Sequence, residues 1–131
     1  MKTELQVCSL EQAKKLKELG VEQLVSLFEW TVYCPDPTGE KYYYIVMDNN
    51  HPDAGHAEII ASAFTVAELG IMLPLYCDSR KDGSWWVCDE GLTGNCVEFH
   101  ADTEAEARAA MLIYILENSL TTSQDINNRI K

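Results

Sequence analysis

The chain has 131 residues and carries 21 Asp and Glu against 10 Lys and Arg, a formal net charge of −11. With 47% hydrophobic and 24% charged residues it has the composition of a globular protein rather than a disordered one. Its length suits a single domain that can bury a core without disulfides. The acid surplus excludes a partner held by its phosphates, because neutralising them needs an excess of Lys and Arg.

In chain order, Ser9-Leu10-Glu11-Gln12 has the hydroxyl and the Gln of a capping box and predicts a helix. Leu10, Ala13, Leu16 and Leu19 form its apolar stripe, Lys14, Lys15 and Lys17 its wet side, and Gly20 its left-handed stop. Leu27 to Cys34 and Lys41 to Met47 alternate and are rich in aromatic and β-branched residues, so they read as a hairpin around the turn residues 35–40. Asp48 to His56 is a polar loop, and Glu58 to Phe64 a further short strand. Thr65-Val66-Ala67-Glu68 is a second capping box, opening a short helix that Pro74 ends.

Trp85 to Asp89 and Cys96 to His100 read as a second hairpin around residues 90–95. Thr103-Glu104-Ala105-Glu106 starts the longest helix, which runs to about Ser119. From Ala109 to Leu116 this helix is apolar nearly all round, which places it either at the centre of the domain or under a partner. The expected class is α+β, in the order α-β-β-(β)-α-β-β-α: one domain over 1–120, an antiparallel sheet of two hairpins with a further short strand, and about three helices. Residues 121–131 are expected to be a polar tail, frayed, or extended as a helix through Ile126 and Ile130.

No apolar run approaches the roughly 18 residues of a membrane span. Met1 to Cys8 has no uninterrupted apolar segment of the kind that directs export. Five cysteines, an odd count without an export signal, are expected to stay thiols in a reducing compartment. The expectation is a cytoplasmic protein that does not engage a membrane.

The chemistry-bearing groups are weak motifs. His51, Asp53 and His56 in the polar loop, and Cys96 with His100 (joined by Cys77 and Cys88), have the right chemistry for zinc. Their spacing matches no recognised ligand set, so no cofactor is expected and a solvated loop with buried thiols is preferred. No phosphate loop, nucleophile elbow or HExxH is present, and no catalytic residue is assigned. Trp85 and Trp86 point to opposite sides of a strand. Trp85, Trp86, Tyr43 and Ile115 are the candidate contact residues for a partner.

The segment Ala63-Phe64-Thr65-Val66-Ala67-Glu68-Leu69-Gly70-Ile71-Met72-Leu73-Pro74 resembles a motif of small uncharacterised proteins encoded by bacteria and their phages. Ala101-Asp102-Thr103-Glu104-Ala105-Glu106-Ala107-Arg108 looks like the C-terminal helix of that family, and Leu16 to Val21 followed by Phe28 and Trp30 matches its start. The resemblance implies a phage or mobile-element setting and carries no activity, ligand or catalytic residue.

These readings point first to a non-enzymatic protein-interaction or self-associating module. Residues 42–107 hold twelve acids and two bases, which motivates an alternative, an acidic nucleic-acid mimic that blocks a host DNA- or RNA-binding protein. A small metal-dependent or thiol enzyme is the third reading.

Overall fold

A computed structural model describes residues 6–23, 26–34, 39–47, 57–90 and 97–130. In chain order its elements are α1 (Leu10–Glu18), β1 (Phe28–Tyr33), β2 (Tyr42–Met47), β3 (Ala57–Ser62), α2 (Val66–Met72), β4 (Cys77–Asp82), β5 (Trp85–Glu90), β6 (Glu98–Ala101), α3 (Glu104–Glu117) and α4 (Ser123–Arg129). The domain is α+β, and all strand pairings are antiparallel. The two expected hairpins fall in separate three-stranded sheets, ordered β2-β1-β3 and β4-β5-β6.

The helix starts follow from their caps. Ser9 with Gln12 and Thr65 with Glu68 form full reciprocal capping boxes, and Thr103 Oγ1 accepts from the Glu106 amide at 3.1 Å. Gly20, at φ +94°, gives the left-handed turn after α1. Gly83, at φ +61°, opens the two-residue Gly83-Ser84 turn between β4 and β5, the place where a tight hairpin needs a positive φ.

The long helix is the centre of the domain. Ala105, Ala107, Ala109, Met111, Leu112 and Ile115 of α3 are fully buried, packed between the β4-β5-β6 sheet and helices α1 and α2. Ile115 is therefore no contact residue for a partner: it sits inside the core that Leu16, Phe64, Leu69 and Met72 also fill. The all-round apolar character of α3 reflects neighbours on every side within the chain.

The C-terminal segment is also part of the fold. Thr122 caps α4, Ile126 is fully buried, and Asn127 accepts from the Glu22 amide (2.7 Å) and donates to the Gly20 carbonyl (3.0 Å). Arg129 Nη1 donates to the Met72 carbonyl at 3.3 Å. Among the described residues no helix is long and apolar enough to cross a membrane.

Candidate functional site

The two sheets are finished differently. In the second, strand alternation sends Cys77, Ser79, Trp86, Cys88 and Phe99 toward α3, and Arg80, Val87, Asp89, Glu98 and His100 to the outer face. That outer face is charged: Arg80 pairs with both Asp89 and Glu98, and Glu98 lies 3.3 Å from His100 Nε2. Val87, on the same face, is fully buried.

The first sheet is largely apolar and aromatic, with Glu29 on one face and Glu58 on the other. The register sets Val32, Trp30 and Phe28 opposite Tyr43, Ile45 and Met47 on one face, and Tyr33 and Thr31 opposite Tyr42 and Tyr44 on the other. Trp30 is anchored, its indole nitrogen donating to the Cys8 carbonyl at 3.0 Å. Tyr43 and Met47 are exposed by 49% and 51% on one face, Tyr42 and Ile59 by 53% and 47% on the other, and the adjoining Leu27 by 61%. Helix α1 packs on β3, at the edge of this sheet opposite β2.

The aromatic contact candidates divide between the sheets. Tyr43 stands exposed on β2, and Trp85 is 51% exposed at the start of β5. Trp86 turns inward against the core, with the Lys81 ammonium 5.2 Å from its ring centroid. The exposed positions Leu27, Met47 and Ile59 escaped sequence reading, because alternation gives a strand its two faces without saying which of them a helix will cover.

The expected metal ligands do not assemble where they can be followed. His51, Asp53, His56 and Cys96 lie outside the described residues. Cys77 and Cys88 face α3 whereas His100 lies on the outer face, so the sheet itself separates the imidazole from the two thiols. Among the described residues no group of three His, Cys, Asp or Glu side chains is placed to hold a metal ion.

Three of the thiols, Cys8, Cys77 and Cys88, sit where their ionised form is penalised. Burial pushes Cys8 and Cys88 up to about 12, and burial with the nearby charges of Glu90 and Asp89 pushes Cys77 up to about 11. Burial also raises Glu106, assisted by Asp102.

A cavity of about 440 Å³ opens between the starts of α2 and α3 and the β4-β5 hairpin, with Thr65, Val66, Trp86, Lys81 and Asp102 on its walls. Its size is that of a small-molecule site. Lys81, Asp102 and Glu104 all line it, so it offers no single sign of charge. The Thr65 and Thr103 hydroxyls on its walls accept from the Glu68 and Glu106 amides as helix caps.

Five of the twelve acids in residues 42–107 are held locally. Arg80 takes Asp89 and Glu98, Arg108 pairs with Glu104 at 3.6 Å, and Glu90 is buried. Glu68 accepts from the Thr65 amide (2.8 Å), the Ser26 hydroxyl (3.1 Å) and the Leu27 amide (3.1 Å). Comparison with known proteins adds no relative: no family model, no curated protein and no solved structure matches the chain.

Proposed function

We propose that this chain is a non-enzymatic protein-interaction module, acting in the cytoplasm in a phage or mobile-element setting, and that its binding surface is the β2-β1-β3 sheet. The observation that carries this reading is the exposure of large apolar side chains on both faces of that sheet, Tyr43 and Met47 on one and Tyr42 and Ile59 on the other, with Leu27 beside them. Aromatic and methionine side chains are the groups most enriched at protein contacts. The alternative of a nucleic-acid mimic draws less support, since Asp89, Glu98 and Glu104 are paired with Arg80 and Arg108 and Glu90 is buried. A thiol enzyme draws less support because Cys8, Cys77 and Cys88 keep their protons at neutral pH.

The test is retrieval with tagged protein from an extract of the encoding organism, followed by binding of each captured protein in purified form. Wild type is expected to bind a second protein or a second copy of itself, and the exposed double variant Tyr43→Lys with Met47→Lys to lose that binding at least tenfold. Trp85→Lys, on the other sheet, is expected to keep it. Binding indifferent to the double variant, or no association at all, refutes the reading.

A further inference from the structure

We infer that the free edge of β2 is occupied by β2 of a second copy of this chain, joining two first sheets into one six-stranded antiparallel sheet across a two-fold axis. This rests on the interaction-module reading above and names the partner.

The first support is how the sheet edges are protected. An edge strand presents unpaired amides and carbonyls that recruit another strand unless charge, proline, a bulge, brevity or a covering element prevents it. Edge strand β4 carries Asp78, Arg80, Lys81 and Asp82, and β6 is four residues long with Glu98 and His100. Edge strand β3 carries Glu58, shifts register between Trp30 and Thr31 of its partner, and has its Ile60 carbonyl taken by Lys17 Nζ at 2.9 Å. Among the described residues β2 shows none of these devices. Its six residues, Tyr-Tyr-Tyr-Ile-Val-Met, hold no charge and no proline, pair with β1 in unbroken register, and meet no second strand among the described residues.

The second support concerns a copy in particular. Antiparallel pairing of one edge with itself matches residues of like parity, so the axis passes through Tyr44 or Ile45. Through Tyr44 it sets Tyr43 opposite Ile45 and Tyr42 opposite Val46; through Ile45 it sets Tyr43 opposite Met47 and Tyr44 opposite Val46. Each is an aromatic with an aliphatic or thioether side chain, the favourable kind of cross-strand pair, and no like charges meet.

Both parts of the chain are acidic, with ten acids and five bases in residues 1–62 and eleven acids and four bases in residues 63–130, so two copies repel each other and salt screens that repulsion.

Six-residue edge pairing with three half-exposed side chains lies at the small end of protein interfaces, so the dimer is weak, with a dissociation constant on the order of micromolar. Sedimentation velocity of the full chain from roughly 1 to 500 μM reads it directly. Wild type is expected to pass from monomer to dimer, more tightly at high salt. Tyr43→Lys with Met47→Lys is expected to stay monomeric, and Trp85→Lys to dimerise like wild type. Hydrogen exchange on wild type supplies a readout independent of variants: outward amides of β2 should slow as concentration rises, and those of β4 and β6 should not. A monomer at the highest concentration, a double variant dimerising within twofold of wild type, or protection confined to another edge overturns the inference. If wild type is monomeric yet binds a different protein through the same sheet, the copy is wrong and the interaction module stands. If nothing binds the sheet, both fail.

Discussion

Cys8, Cys77 and Cys88 sit where their ionised form is penalised, and this ties stability to alkaline pH. An unfolded chain ionises these thiols near the ordinary value of about 9, while the folded chain holds the protons until about 11 to 12. The stability they contribute is therefore complete below pH 9 and is lost as pH rises through 11. The urea midpoint is expected to fall between pH 9 and 11, and to fall less steeply in Cys88→Ala. At neutral pH a thiol reagent should leave Cys8 and Cys88 unlabelled until urea is added; rapid labelling of either in the folded protein would contradict their burial. Arg108 works on the same scale. Its Nε donates to Ser79 Oγ (2.9 Å), its Nη1 to the Val66 carbonyl (2.8 Å), and its Nη2 lies 3.6 Å from Glu104, so one planar group fastens α2, β4 and α3 together. Lysine cannot reproduce that fork, and Arg108→Lys is expected to cost about 1–3 kcal/mol in urea unfolding.

Among the elements, α4 carries the clearest prediction. Ile126 is fully buried and Asn127 bridges to Gly20 and Glu22, so Ile126→Ala is expected to cost about 2–5 kcal/mol, and removal of residues 121–131 more than that. Chemical denaturation measures both; a truncated chain as stable as the whole would show that α4 contributes nothing. Helices α1 and α2 were legible in the sequence from a cap residue at one end and Gly20 or Pro74 at the other, and α3 from its Thr103 cap and long apolar run. Strand β4 was not. Cys-Asp-Ser-Arg-Lys-Asp alternates without an apolar face, since its inward Ser79 serves Arg108 and its inward Lys81 covers Trp86. The clue that was present is Gly83-Ser84 immediately before Trp85, a two-residue hairpin turn. The tail was hard for a related reason: one buried isoleucine in a seven-residue helix is too little periodicity to distinguish packing from fraying. The candidate surface was half legible. Its aromatic residues stand out in the sequence, but their exposure depends on where α1 lands, and only the tertiary structure decides that.

At the scale of the whole molecule, charge and packing are both distributed unevenly. Helix α3 and the β4-β5-β6 sheet share one core with α1, α2 and α4, whereas the helices meet the first sheet chiefly at β3. Screening should therefore reveal itself in self-association more than in folding: added salt is expected to tighten any pairing of two copies while shifting the urea midpoint little, because Arg80 and Arg108 already neutralise neighbouring acids within the chain. The one-sided support of the first sheet has a further consequence for how the molecule opens. Strands β1 and β2 can separate from β3 without exposing α3, so they form a cooperative unit of their own, less stable than the global fold. Native-state hydrogen exchange should resolve two tiers, with amides of β1 and β2 exchanging through a partial opening and those of β5 and α3 only through complete unfolding. A protease meeting the folded chain would then cut first in this unit, and the two pieces, one carrying α1 and the other running from β3 onward, should stay together through the core that Ala13 and Leu16 share with α3.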